Sequence, residues 1–404
     1  MSTVSASERF QAVVRHEITA DGIGPAQNLE LLCVAPAPDV AVGIVAVLEG
    51  EVARAWERGW QPADLARYID QSLGKVESAV IRRAIACESA SYEGLGARVA
   101  PEWMAQLERV GAARASASGG DCLLHVHAAW RDVVLAAMRL MMWLRMLPRI
   151  PQLVDPPAQW HAGMTVAERS LPRGILHKVR ALLAKAESTT FEAEAEVFTA
   201  KAQELMARHR IDRAVLGASG RETGEVPVGR RIGIDSPYSN AKVLLVCTIA
   251  TANGCDAVWS KALGFATVFG YAGELDAVEE LFTSLLVQAT AALQREGSKI
   301  DAYGQSRTAQ FRRAFLVAFA YRIGLRLRTT VDETVEAASA ETGTALVPIL
   351  AARAERAVAA RREAFPRTRG LSTRASDGEG WAAGTAFGDR ADLSMVPKLN
   401  QRVA

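Results

Sequence analysis

The most constraining feature of this sequence is a charge-sorted amphipathic segment that spans residues 171–215. When successive residues from Arg173 are placed about 100° apart on a helical wheel, apolar and basic side chains separate onto opposite sides. The apolar side consists of Ile175, Leu176, Val179, Leu182, Leu183 and Ala186. The basic side consists of Arg173, His177, Lys178, Arg180 and Lys185. The pattern predicts a helix that buries one side and exposes the other.

A second helix is predicted to follow from a start signal at Thr189. The Thr189 hydroxyl as N-cap, with Glu192 three residues later, forms a capping box. Its apolar face is predicted to consist of Phe191, Ala195, Phe198, Ala202, Leu205 and Met206. Acidic residues crowd the first turns and basic residues the last, an order that complements the helix dipole. These residues are Glu192, Glu194 and Glu196, then Arg208, His209 and Arg210. Together the segments predict an αα-hairpin.

The basic side of the first helix is not explained by the dipole. Lysine and arginine on one exposed helix face can bind phosphates without regard to base sequence. The alternative is a solvated face, or one that pairs with glutamates elsewhere in the chain. We therefore predict a nucleic-acid-binding face, hereafter the basic face, formed by Arg173, His177, Lys178, Arg180 and Lys185.

Composition limits how a nucleic acid could be attracted. The chain has 404 residues, half of them hydrophobic, which is typical of two or three globular domains. Its 47 basic and 45 acidic side chains leave a formal net charge of only +2. No strong overall field therefore draws the protein toward nucleic acid or anionic lipid. Any such partner requires a local patch.

We expect a cytoplasmic protein with no membrane role. The five cysteines are odd in number and scattered, so we predict free thiols in a reducing compartment. The beginning of the chain lacks the apolar core of a secretory signal. The most hydrophobic run, residues 133–147, is too short to span a bilayer and contains Arg139 and Arg145. It reads as a buried helix.

The rest of the chain predicts a mainly α protein, α+β overall. We expect an N-terminal helical domain over residues 1–147, with helices near 75–90, 101–115 and 121–147, and a proline-rich linker over 148–170. After the αα-hairpin at 171–215, an α+β module is expected over 230–404. In it, "CDAVW" and "FATVFGY", joined by "SKALG", predict a small β-hairpin.

Other candidate sites receive less support. Cys122, His125 and His127, with Asp121 beside them, are metal-ligand types, but one helix would turn His127 away from Cys122. We therefore expect no metal and no cofactor. Cys255 has no histidine after it in sequence to support a catalytic thiol.

Two further patterns favour packing inside the molecule. The arginines of "SRTAQFRRAFLVAFAYRIGLRLRTT" do not form one stripe on a helical wheel, so they are expected at the edge of the core. The stripe of Gly380, Gly384 and Gly388 lets a neighbouring helix approach closely within the chain. The alternative for the glycine stripe is a contact between copies of the chain.

The segment "KVRALLAKAEST…EAE…AKAQELMARH" resembles the signature of an uncharacterised bacterial and phage family, domain of unknown function 2786. The family pattern is roughly K-[IV]-R-x-L-L-x-x-A-x-S-T, then E-A, then A-x-x-L-M. Matching positions are Lys178, Val179, Arg180, Leu182, Leu183, Ala186, Ser188, Thr189, Glu194, Ala195, Ala202, Leu205 and Met206. The downstream region is similar to the module that often follows this domain. The resemblance implies no established activity, substrate or cofactor.

We expect a non-enzymatic protein that binds a macromolecule, nucleic acid or another protein, with the basic face as the contact surface. No dinucleotide fingerprint or P-loop is present, and no catalytic constellation is recognisable. Whether the protein is an enzyme stays uncertain, with "no" the favoured answer. One alternative is an enzyme of unknown chemistry with its site in the C-terminal α+β module. A second is a homomeric structural protein or a host–phage interaction protein.

Overall fold

A computed structural model describes residues 4–92, 100–112, 121–160, 172–189, 192–218, 225–370 and 375–390. The chain divides into two compact units, Met1–Ala167 and Glu168–Ala404, and each is described by itself. Within the described ranges, no helix combines the length and the apolar character needed to cross a membrane. The boundary between the units falls inside the segment that was predicted to be a linker.

The first unit is helical, as predicted. Its helices are α1 (Ala6–Arg15), α2 (Pro25–Val34), α3 (Ala37–Glu57), α4 (Pro62–Ser72), α5 (Lys75–Ala90), α6 (Pro101–Arg109), α7 (Asp121–Leu124) and α8 (Trp130–Met146). Helix α3 packs against α1, α5, α7 and α8. The unit therefore has one apolar core, to which α3 contributes Ile44, Leu48 and Trp56. A short 3-10 turn at Pro157–Gln159 follows α8.

The helix predicted over residues 121–147 is wrong in one respect, because the structure breaks it between α7 and α8. Backbone hydrogen bonds of 3.1 Å from Val126 to Leu123 and 2.8 Å from Ala128 to Val126 close turns in the break. The indole of Trp130, the first residue of α8, donates to the Leu32 carbonyl at 3.2 Å. The turn allows both Leu123 and the core side of α8 to be buried.

The helix predicted near 101–115 ends earlier than expected. Helix α6 ends at Arg109, and Gly111 follows with a φ of 74°, a left-handed conformation that favours glycine. Residues 113–120, which contain the predicted separator "SASGG", lie outside the described residues.

Residues 148–160 of the predicted linker pack against the first unit. The backbone N–H of Ile150 donates to the Arg58 carbonyl at 2.9 Å, and the Trp60 indole donates to the Pro148 carbonyl at 2.9 Å. The Trp160 ring lies 5.8 Å from that of Trp103. The prolines therefore give an extended, anchored segment up to residue 160. Residues 161–170 lie outside the described part of the chain.

The cysteines depart from the prediction at one pair. The Sγ atoms of Cys87 on α5 and Cys122 on α7 lie in bonding contact as a disulfide pair, with their Cα atoms 7.1 Å apart. The prediction of five free thiols is therefore wrong for this pair. Packing of α5 against α7 brings the two together, although 35 residues separate them in sequence. Cys33, Cys247 and Cys255 are free.

The second unit combines helices with a small sheet. Its elements are α9 (Arg173–Ser188), α10 (Glu192–Ala218), β1 (Val228–Gly233), α11 (Ser239–Ala252), β2 (Asp256–Ser260), β3 (Phe265–Gly270), α12 (Ala272–Glu296), α13 (Thr308–Thr342), α14 (Leu346–Ala364) and α15 (Gly378–Arg390). The strands are antiparallel in the order β1-β3-β2. The predicted class, mainly α and α+β overall, is confirmed.

The predicted β-hairpin is confirmed as β2 and β3, and β1 extends it on the far side of β3. Alternation assigns the two faces of the sheet. On one face, Val268 joins the core shared with α11 and α12. On the other, Phe269 lies 6.0 Å from Phe365, which follows α14, and Asp256 pairs with Arg361 of α14 at 2.8 Å. The sheet thus lies between α14 and the α11–α12 pair.

The glycine stripe is a packing surface within the chain, and that prediction is confirmed. A Cβ at Gly380 or Gly384 would collide with the backbone carbonyl of Phe311 or Phe315 on α13. A Cβ at Gly388 would come within 2.7 Å of the side chain of Arg322. The stripe therefore seats α15 on α13, and it does not supply the contact between copies that was the alternative.

Candidate functional site

Helix α9 presents the predicted basic face from a fixed position. Its apolar side is buried in the core of the second unit, where Val179 is 0% and Leu183 3% exposed. His177, Lys178, Arg180 and Lys185 are exposed on this helix. The side chain of Arg173 lies outside the described part of the structure. Four of the five residues of the predicted basic face are thus placed on one anchored helix.

Two of these cations already have contacts. The Nε of Arg180 donates to Oε1 of Glu280 on α12 at 2.8 Å. The Nζ of Lys185 lies 5.5 Å from the centroid of the Phe198 ring on α10. His177 and Lys178 form no ion pair with any residue that the structure describes. The alternative of pairing with glutamates is therefore correct for Arg180 alone among the four.

The second helix of the hairpin differs from the prediction at its C-terminal end. The predicted capping box of Thr189 involves residues 190 and 191, which lie outside the described residues; the described part of α10 begins at Glu192. Thr189 is also the C-cap of α9, and its hydroxyl donates to Glu194 at 2.8 Å. Helix α10 continues to Ala218, so Arg208, His209 and Arg210 lie well before its last turn. The dipole argument for these three residues is wrong, and Arg210 has a different role.

Arg210 belongs to a buried charge cluster that the sequence analysis missed. The cluster consists of Arg210 and Arg213 on α10, Glu225 before β1, Glu274 on α12 and Arg353 on α14. Glu225 pairs with Arg213 at 3.0 Å and with Arg353 at 3.1 Å. Oε1 of Glu274 lies 3.5 Å from Nε of Arg353 and 3.7 Å from Nε of Arg210. The cluster joins three helices at the end of the sheet.

The pKa values of the two carboxyl groups in this cluster are shifted in opposite directions. Burial raises the pKa of Glu274, and the opposing effect of Arg210 and Arg353 does not fully offset it. Burial also acts to raise the pKa of Glu225, but hydrogen bonds from Arg213 and Arg353 outweigh it and the net pKa is lowered. Glu225 is therefore the firmly ionised partner of the arginines, and Glu274 is the weaker acid.

A small cavity lies inside the cluster. Its volume is about 20 Å³, and Tyr271, Glu274, Arg210 and Arg353 contribute to its walls. Tyr271 Oη, Glu274 Oε1 and both arginine Nε atoms have no hydrogen-bond partner among the described residues. Space of this size holds about one water. The cluster therefore has polar groups suited to acid–base chemistry but, as described, no room for a substrate.

The candidate thiol and metal sites gain no support from the geometry. Burial, reinforced by Glu274, raises the pKa of the Cys255 thiol well above its usual value, which disfavours the nucleophilic thiolate. Cys122 is buried, whereas His125 and His127 are exposed in the turn between α7 and α8. Among the described residues, no group of three histidine, cysteine or acidic side chains could hold a metal ion.

The arginines along α13 make contacts inside the second unit. Arg307 pairs with Asp377 at 2.7 Å, and Arg322 pairs with Asp389 at the end of α15. Arg326 donates to the Gly388 carbonyl at 2.6 Å, and burial lowers the pKa of its guanidinium to about 10. The expectation that these arginines lie at the edge of the core is confirmed for Arg307, Arg322 and Arg326.

Comparison with known proteins supports one local relationship. Residues 174–213 match the model of a family described as a protein of unknown function, DUF2786. The match spans most of α9 and the part of α10 that contains Arg210 and Arg213, which confirms the resemblance over these residues. Neither the curated proteins nor the solved structures contain a match to the chain.

Proposed function

We propose that the protein binds the sugar–phosphate backbone of nucleic acid through the basic face of α9. The observation that carries the proposal is the state of His177, Lys178 and Lys185. All three are exposed on one helix, and none forms an ion pair with a described residue. Elsewhere in this unit, many arginines are held by carboxylates, as Arg213, Arg230 and Arg353 are. Unpaired cations are the ones that can neutralise phosphates at no cost of breaking an ion pair.

The anchoring of α9 supports the same proposal. Burial of Val179, Leu183 and Ala186 fixes the rotation of the helix about its axis. The exposed cations therefore project from a rigid element, so little backbone freedom is lost when a phosphate binds. Residues 174–213 are also the part of the chain that matches a family model, and the basic face lies within them apart from Arg173.

The number of unpaired cations on the basic face determines how strongly we expect it to bind nucleic acid. Arg180 is shared with Glu280, which leaves two or three cations for phosphates. Binding through so few contacts is weak, indifferent to base sequence and dependent on salt, because each duplex phosphate that is neutralised adds about 0.9 to the slope of log K against log salt. The protein would act as an auxiliary nucleic-acid binder.

The enzyme alternative is the weaker proposal. The cavity of the charge cluster, about 20 Å³, is far below the roughly 300–1,000 Å³ of pockets that take small molecules. The second alternative, a homomeric structural protein or a host–phage interaction protein, loses the support of the glycine stripe, because α13 covers that stripe.

Fluorescence anisotropy of labelled duplex DNA, single-stranded DNA and RNA over several salt concentrations tests the proposal. Lys178→Ala and Lys185→Ala should each weaken binding and lower the salt slope by about 0.9 on duplex. Lys261→Ala is the matched control, because Lys261 is an exposed lysine in the β2–β3 turn. Absence of binding by the wild-type chain at low salt would rule the proposal out. Equal losses in all three variants would show that only overall charge matters.

A further inference from the structure

A pocket of about 450 Å³ lies in the first unit. One side is formed by α5, and the other by Val110 and Gly111, after α6, together with residues 125–127, after α7. Its volume is within the roughly 300–1,000 Å³ of small-molecule sites. The side chains of basic type that line it are Lys75, Arg82, Arg83, His125 and His127. Among the described residues, no acidic side chain contributes to the lining. Small aliphatic side chains, among them Ala79 and Val126, form the rest of the wall.

The break between α7 and α8 is what brings the two histidines to this pocket. In a continuous helix, His125 and His127 would point about 200° apart around the axis. In the turn, both side chains line the same pocket, while Val126 between them is 8% exposed and also contributes to the wall. The structure thus places the two histidines of the Cys122, His125 and His127 motif apart from its cysteine. The cysteine is buried against α5, and the histidines face the cavity.

The positive charges of the pocket are only partly neutralised. Arg82 donates to both carboxylate oxygens of Asp70, from Nη1 to Oδ1 at 2.8 Å and from Nη2 to Oδ2 at 2.5 Å. Lys75, Arg83 and His127 form no ion pair with any residue in the described ranges. Lys75 and Arg83 therefore bring two positive charges to a concave surface whose described residues include no compensating carboxylate.

We propose that this pocket binds a small organic anion, a phosphate ester or a carboxylate with a compact aliphatic skeleton. Lysine and arginine form charge-assisted hydrogen bonds with such anions. Lys75 is exposed and Arg83 half-buried, so both can reach an anion that enters from solvent. The described part of the lining contains no phenylalanine, tyrosine or tryptophan on which a nucleobase could stack. An anionic head near Arg83 and Lys75, with its carbon skeleton against Ala79 and Val126, fits this lining. The inference is independent of the basic face.

Isothermal titration calorimetry on the full chain tests the proposal with three probes: inorganic phosphate, glycerol 3-phosphate and glutarate. We expect saturable binding of one molecule per chain for at least one organic probe, tighter than for inorganic phosphate. Glycerol 3-phosphate and glutarate distinguish a phosphate site from a carboxylate site. Arg83→Gln and Lys75→Gln should each weaken binding about tenfold, the effect of losing one charge-assisted hydrogen bond.

Two further variants separate a shaped pocket from general charge attraction. Ala79→Phe fills the pocket and leaves every charge in place, so it should abolish binding. Arg149→Gln removes an exposed arginine outside the lining and should leave binding unchanged. If Ala79→Phe fails to fold, the Arg83→Gln and Lys75→Gln double variant decides, because both side chains lie at the pocket surface. Lack of binding by all three probes at millimolar concentration overturns the proposal, as does binding that survives Ala79→Phe or the double variant.

Discussion

The guanidinium of Arg353 lies over the ring of Tyr271, with its Cζ 3.5 Å from the ring centroid. The same guanidinium pairs with Glu225 before β1 and approaches Glu274 on α12. Tyr271 directly follows β3, and its backbone N–H donates to Glu274 at 3.1 Å. One side chain of α14 thus joins the end of the central strand, the start of the first strand and the beginning of α12.

Replacement of Arg353 by alanine should destabilise the second unit strongly. The change leaves Glu274 buried with only Arg210 beside it, and it removes one of the two partners of Glu225. Removing one partner of a buried ion pair costs about 3–5 kcal/mol. Urea unfolding followed by circular dichroism measures the loss. Arg356→Ala, an exposed arginine on the same helix, should change the unfolding free energy by no more than about 0.5 kcal/mol. Similar small effects for both variants would contradict a structural role for the cluster.

The acid sensitivity of the second unit should depend on Glu225. Its pKa in the folded state is lower than the ordinary value of 4.5. A carboxyl group of this kind contributes stability that is complete above its unfolded-state pKa and is lost as pH falls through the folded-state pKa. Glu225→Gln should therefore lower the unfolding free energy at neutral pH and reduce its further decline below about pH 4.5.

Parallel urea titrations at neutral and acidic pH check this difference. Glu355→Gln supplies the control, because Glu355 is exposed on α14. The pH dependence that Glu274 contributes to the unfolding free energy should have the opposite sign. Its pKa is raised, so its contribution to stability is complete below the unfolded-state pKa and is lost as pH rises through the folded-state pKa. An unchanged acid decline in Glu225→Gln would show that the ion pairs with Arg213 and Arg353 do not couple to folding.

Even the smallest side chain should not be tolerated at Gly384. An added Cβ would meet the Phe315 carbonyl on α13, so Gly384→Ala should force α15 away from α13. Overpacking of this kind costs about 1–3 kcal/mol. Gly378→Ala is the matched control, because a Cβ at the first residue of α15 meets no atom within 4 Å. Thermal unfolding of the two variants should show a lower melting temperature for Gly384→Ala alone.

The sequence predicts helices and strands that are encoded by patterns of neighbouring residues. It does not predict the charge cluster around Arg353. Helical spacing identifies Val179 and Leu183 as buried, and β-branched and aromatic residues identify β2 and β3. Strand β1, "VGRRIG", has two glycines and two arginines among six residues, so it shows little apolar alternation. It becomes a strand because it pairs with β3 and because Arg230 reaches Asp276 at 2.7 Å.

The charge cluster illustrates why the rest could not be predicted. Arg210 and Arg353 come from helices far apart in sequence, and no spacing relates them to Glu274. The only local signal is that basic residues follow the DUF2786-like pattern on α10, and the dipole appeared to explain them. Only tertiary packing shows that Gly254 leaves room for Arg210, where a Cβ would come within 2.9 Å of its guanidinium.

The ion pair between Arg180 and Glu280 reduces the positive charge that the proposed basic face can offer to phosphates. The Nε–Oε1 distance is 2.8 Å, yet Arg180 remains 61% exposed. Its positive charge is therefore partly neutralised by α12 but still accessible from solvent. If nucleic acid binds along α9, Glu280→Gln should release Arg180 for one more phosphate. Binding should become tighter, and the salt slope on duplex should increase by about 0.9.

Anisotropy titrations of four variants test this coupling. Glu296→Gln, at the last residue of α12, adds the same charge to the protein away from Arg180 and should have a smaller effect. Arg180→Ala alone should weaken binding only slightly, because its charge is already shared. The Arg180→Ala and Glu280→Gln double variant should lose the gain of Glu280→Gln, which a double-mutant cycle expresses as a coupling between the two residues. Equal gains from Glu280→Gln and Glu296→Gln would mean that binding responds to net charge, and α9 would then not be the contact surface.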